Sequence, residues 1–147
     1  MSVEILPYVG IKMNGKEINF GMRQVEIEAI LGVASEIVIN NIMKNKTETR
    51  SGMKFIYRGE ELTDIVVSKH VKLKYKEIDI FNTENVIELL SNYSKFEKSK
   101  YADNAYGNFY DLGLSFGGFG SVEIPEGRIV IIFSKELTKW YEGYLVV

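Results

Sequence analysis

Tyr8-Val9-Gly10-Ile11-Lys12-Met13-Asn14-Gly15-Lys16-Glu17-Ile18-Asn19-Phe20 decides the fold class. Tyr8 to Lys12 is a strand-like run. Asn-Gly readily takes the two left-handed residues of a tight hairpin turn. Glu17 to Phe20 then returns as the second strand. Gly21 breaks the extended run. From Met22 to Leu31 apolar residues recur at helical spacing: Met22, Val25 and Ala29 form the stripe, and Ile27, Ile30 and Leu31 widen it. Gly32 is a natural stop. A hairpin feeding a helix, with no glycine-rich βαβ unit, predicts an α+β domain.

The flanking chain repeats these signals. Ser35 to Ile39 reads as a strand. Asn40 to Gly52, rich in Asn, Thr and Lys, reads as a functional or mobile loop. Met53, Phe55 and Tyr57 alternate, and Ile65-Val66-Val67 is a buried-strand run. Val71, Leu73 and Tyr75 alternate with Lys72, Lys74 and Lys76, which puts one face on a core and three lysines in water. Ile78-Asp79-Ile80 extends that strand. Asn82 or Thr83 caps a helix carrying Val86, Leu89, Leu90 and Tyr93. Tyr110, Leu112, Leu114 and Phe116 share one strand parity, and Gly117 to Gly120 is a turn. Val122-Glu123-Ile124 pairs with Arg128 to Phe133 across Pro125-Glu126-Gly127. Lys135 to Tyr141 is a short helical turn, and Tyr144 to Val147 a terminal strand. The sum is a single α+β domain over residues 1–147, with a mostly antiparallel sheet of seven or eight strands and two main helices.

Composition narrows function by subtraction. There are no cysteines, which excludes disulfides, thiolate metal sites and thiol nucleophiles. The single histidine excludes any site needing two. Eighteen basic and 20 acidic residues give a net charge of −2, so no charge imbalance points to nucleic acid. The N-terminus has no signal-peptide pattern and no run is long enough to span a membrane, so a cytoplasmic protein is expected.

The remaining chemistry is sparse. His70 is the one candidate proton shuttle near neutral pH, with Ser68 and Asp64 nearby in sequence. A cleft under the 40–52 loop with His70 as acid–base would make the chain an enzyme or small-ligand protein. No phosphate-loop Lys follows Gly117-Gly118-Phe119-Gly120, so Phe119 sits at a turn tip or folds back over the sheet. Carboxylates at Glu60, Glu61 and Asp64 fit no calcium-loop spacing, and neither a metal nor a cofactor is expected. The aromatic residues are concentrated instead. Tyr93, Phe96, Tyr101, Tyr106, Phe109 and Tyr110 fall within one polar stretch. Tyr93, Phe109 and Tyr110 are expected to pin this stretch to the core. Tyr101 and Tyr106 suit a protein-recognition surface, where stiff amphipathic rings give contact area at low entropy cost. Asp103, Asn104, Asn108 and Asp111 would add polar contacts.

Ile18-Asn19-Phe20-Gly21-Met22, with Val25 and Ile30-Leu31-Gly32, resembles the opening of several small bacterial proteins. These include the repeat halves of beta-lactamase-inhibitor proteins, small outer-membrane assembly lipoproteins, and small proteins encoded beside polymorphic toxins. Lacking Cys, the chain departs from the first two. Its overall type is similar to immunity proteins of contact-dependent growth inhibition. That resemblance implies a cytoplasmic, non-enzymatic protein that binds and blocks one cognate toxin domain. Its Tyr101 and Tyr106 would be anchors, and Asp103 and Asp111 would face a basic toxin surface. A structural homo-oligomer joined through an exposed sheet edge is the remaining expectation.

Overall fold

The computed structural model describes residues 2–98, 106–119 and 127–142, with the backbone only at Tyr106 and Glu142. β1 (Ser2–Leu6) adds to the elements the sequence predicts. β2 (Gly10–Met13) and β3 (Lys16–Asn19) form the expected hairpin. Asn14 and Gly15 both take positive φ, 52° and 75°, as a tight turn joining right-twisted strands requires. α1 (Gln24–Leu31) follows. Glu26 Oε1 accepts the Arg23 N–H at 3.0 Å at its start, and the Gly32 N–H closes its end on Glu28.

β4 (Glu36–Asn40), β5 (Asn45–Arg50), β6 (Met53–Arg58) and β7 (Glu61–Ser68) then form an antiparallel meander. The plan recurs. β8 (Lys72–Tyr75) and β9 (Ile78–Asp79) are a hairpin, α2 (Val86–Leu90) a helix, and β10 (Phe96–Lys98), β11 (Tyr106–Phe109), β12 (Leu114–Gly117) and β13 (Ile129–Phe133) a second meander. A 3-10 turn (Lys135–Leu137) leads into α3 (Thr138–Glu142).

The two meanders join through β7 and β13 into one sheet ordered β10-β11-β12-β13-β7-β6-β5-β4. The second sheet runs β3-β2-β1-β8-β9, and its β1–β8 pair is parallel. Every other strand pair among the described residues is antiparallel, so the α+β, mostly antiparallel expectation holds, but the described residues form thirteen strands in two sheets rather than seven or eight in one. One hydrophobic cluster unites both sheets and both main helices: Ile11, Ile18 and Leu73 meet Phe55, Ile65, Leu114 and Phe116, with Ile27 and Leu90 from the helices. Phe133 lies on the opposite face of the larger sheet by strand alternation. Tyr141 of α3 stacks on it at 4.3 Å, and Tyr8 meets it edge-on at 6.1 Å.

Several local expectations are corrected. The 40–52 segment is not a loop. It closes β4, turns over four residues and runs back as β5, then turns again at Ser51-Gly52 with both φ positive. β5 carries no apolar alternation because its inward positions are Glu48 and Arg50, both buried. α2 is only five residues long. Its cap is Asn85, left-handed at φ 57°, rather than Asn82 or Thr83, and Tyr93 lies beyond its end. The Tyr110–Phe116 run is split by a turn at residues 110–113, where Gly113 takes φ 66°. Along β8 and just past it, Lys72 and Lys76 are exposed but Lys74 is half-buried, and Ile78-Asp79 does not extend the strand but folds back on it as β9. The expected strands at Val122–Ile124 and Tyr144–Val147 lie outside the described residues.

Candidate functional site

Sheet edges expose unpaired backbone groups, and native proteins blunt them with short strands, charges, bulges or proline. Among the described residues, three of the four edges follow that rule. β9 has two residues, β10 has three including Glu97 and Lys98, and β3 exposes Lys16 and Glu17. β4 does not. All five of its residues are exposed, including Ile37 at 45%, Val38 at 54% and Ile39 at 62%. Its register on β5 runs unbroken from Glu36↔Thr49 to Asn40↔Asn45. The following turn adds Ile42 at 92% and Met43 at 60%. That turn is shaped for display: Asn40 Oδ1 accepts the N–H groups of Ile42 and Met43, at 3.1 and 3.0 Å. Exposed Val25 lines a cavity together with Ile39, and exposed Val33 precedes the start of β4. Contiguous exposed apolar residues of this kind mark interaction sites.

Beneath the edge lies a buried polar network. The Glu48 carboxylate accepts from Tyr57 Oη at 2.6 Å, Gln24 Nε2 at 2.7 Å and Arg50 Nε at 3.2 Å. Arg50 Nη1 donates to the Gly32 carbonyl. Gln24 and Gly32 stand at opposite ends of α1, so the network clamps that helix along its length onto β5. Burial, and then the hydrogen bond to the Glu48 carboxylate, push the Tyr57 hydroxyl well above its ordinary pKa, so Tyr57 stays a donor.

A cavity of about 440 Å³ opens between the first turn of α1 and the β4–β5 turn. Tyr57 and Gln24 lie in its lining, Val25 and Ile39 give it apolar surface, and Arg23, Lys44 and Lys46 bring cations. Glu60 is the one carboxylate among the lining residues, and it pairs with Arg23 at 3.2 Å.

The alternative grouping of His70 with Ser68 and Asp64 does not assemble. Asp64 and Ser68 lie four residues apart on β7, so about 13 Å separates them at the ordinary strand rise. Asp64 is buried against Thr63 Oγ1 at 2.7 Å and Arg58 at 3.5 Å, and burial holds its pKa above the ordinary carboxylate value. His70 is exposed in the β7–β8 turn. That turn adjoins Gly52 at the start of β6, whereas the cavity reaches Tyr57 near its end. His70 and the cleft are therefore about 15 Å apart along the strand. Among the described residues no cluster of His, Asp or Glu is arranged to hold a metal ion.

Tyr101, Asp103 and Asn104 lie outside the described residues, as does the Tyr106 side chain. Asn108 is buried on β11, where its Nδ2 donates to Tyr110 Oη at 3.0 Å, so its side chain is absent from the surface. Asp111 is exposed in the β11–β12 turn. β11 stands six strands from β4, or about 29 Å at ordinary strand spacing, so Asp111 and the β4 edge belong to different surfaces. Phe109 is in the core as expected, between Phe96 and Phe116 at 4.8 and 5.4 Å. Tyr93 is not: it is exposed, edge-on to Tyr75 at 5.6 Å. Phe119 folds back onto Phe116 at 4.9 Å and Phe81 at 5.8 Å.

No family model, curated protein or solved structure matches this chain. No described helix is long and apolar enough to cross a membrane.

Proposed function

We propose that the chain is a protein-recognition module that docks its partner along β4, and that it serves as an immunity protein covering a cognate toxin domain. The unprotected β4 edge, with Ile37, Val38 and Ile39 exposed in succession, carries this reading. An extended partner segment gains main-chain hydrogen bonds from such an edge and side-chain contacts on both faces. The network of Glu48, Arg50 and Tyr57 keeps the edge stiff, so little order has to be created on binding. The toxin-directed role is supported by the likeness of the chain's overall type, small, acidic-leaning and rich in Tyr and Asn, to such immunity proteins, and by the resemblance of residues 18–32 to the opening of small proteins encoded beside polymorphic toxins. Those residues form β3 and α1, and α1 borders the cavity beside β4.

The same edge favours a second reading, a homo-oligomer. Two β4 strands laid antiparallel about Val38 set Ile37 against Ile39 and Glu36 against Asn40, with no like charges opposed. Co-expression with the C-terminal domain of a toxin encoded beside its gene, followed by co-purification and light scattering, tests both. A one-to-one complex lost in Val38→Lys supports recognition. A free chain that forms a dimer also lost in Val38→Lys, with no toxin bound, supports self-association and refutes the immunity role.

A further inference from the structure

We infer that the segment docking on β4 carries a carboxylate that enters the cavity at the end of that strand; the inference rests on β4 being the docking edge. Three cations, Arg23, Lys44 and Lys46, line the cavity against one carboxylate, Glu60. Other acids lie close by outside the lining: Glu48 is buried beneath, held by Arg50, Tyr57 and Gln24, and Glu26 accepts the Arg23 backbone N–H. Lys46 Nζ donates one hydrogen to Gln24 Oε1 at 2.6 Å, and an ammonium has three to give. Asn40, Asn41 and Asn45 add side-chain amides to the rim. The cavity is thus built for an anionic group and holds too little acid of its own.

Strand geometry says where that group must sit. Ile39 pairs with Lys46, and Lys46 with Tyr57, so all three project to the inner face of the sheet. A strand added to β4 projects its residue opposite Ile39 to that same face, and so does the residue two further on. One of these positions reaches the cavity. A second copy of this chain fits poorly there. Paired about Val38, it would bring Ile37 to the inner face and its Glu36 to the other, leaving the cations unanswered. A foreign segment with alternating apolar residues and an acid at one end matches both the edge and the cavity.

A displayed library of random octapeptides, selected on the whole protein, tests this. The selected pool is expected to alternate apolar residues and to end in Asp or Glu. In a selected peptide, replacing that acid by its amide should weaken binding about two- to fivefold at low salt, as partly exposed charge pairs do, and less at high salt. The exposed double variant Arg23→Gln/Lys44→Gln should bind acid and amide peptides alike, with an unchanged thermal midpoint. A pool with apolar alternation and no acid preference overturns this inference and leaves the edge reading standing. A pool with neither overturns both.

Discussion

Replacing Arg50 by Met should destabilise the protein far more than its single position suggests. Arg50 and Glu48 are both buried, with Nε to Oε1 at 3.2 Å and Nη2 to Oε2 at 3.4 Å. Arg50→Met leaves the Glu48 carboxylate facing only two neutral donors, Tyr57 and Gln24. Removing one partner of a buried pair costs about 3–5 kcal/mol. Domains of this size lose about 2–4 °C per kcal/mol, so the thermal midpoint should fall by about 6–20 °C. Glu48→Leu should cost a similar amount by stranding Arg50. The double variant removes both charges and should cost clearly less than the sum, because buried pairs replaced by apolar residues are often near neutral. The residual loss reflects the Tyr57 hydroxyl and Gln24 amide left without an acceptor. Urea midpoints of the four chains at constant slope give the coupling energy. An Arg50→Met variant within about 0.5 kcal/mol of the parent, the range of an ordinary surface substitution, would refute a stabilising role for this network.

Three other outcomes are expected. The Asp64 pKa is raised by burial, so its contribution to stability is complete below the unfolded value of about 3.9 and is lost as pH rises through the folded value. Asp64→Asn should therefore gain on the parent as pH rises from 4 to 7, read as urea midpoints; a difference independent of pH contradicts the assignment. Gly107→Ala places a Cβ 2.0 Å from Phe96 Cζ, which must push the Phe96 ring off β11 at a cost of about 1–3 kcal/mol; an unchanged midpoint contradicts the packing. Val38→Lys replaces a side chain that is more than half exposed and adds a charge of the kind that protects edges, so its thermal midpoint should stay near that of the parent.

The fold class was legible where chain chemistry is local. Asn14-Gly15 announces its hairpin because few other pairs accept two left-handed residues, and the alternation at 53–57 and 71–75 reports strands with one buried face. β5 was illegible because its buried face is Glu48 and Arg50, which satisfy one another and leave no apolar alternation. The repeated plan of hairpin, helix and meander is not legible in the sequence because α1 has eight residues and α2 five, so the two halves share topology more than sequence. The site was legible only in part. Ile37, Val38 and Ile39 read as a strand, yet sequence does not say which strand ends a sheet. The same apolar triplet would be core if a further strand covered it. The aromatic stretch drew attention by composition, whereas the β4 edge is defined only once the strand order is known.

Under the immunity proposal, growth of cells expressing a candidate toxin domain from a neighbouring gene, rescued by the parent or by Val38→Lys, tests the edge most directly. The expected result is rescue by the parent and none by Val38→Lys, with both chains equally abundant and equally stable. Rescue by Val38→Lys would contradict docking along β4, and failure of the parent to rescue would contradict the immunity role.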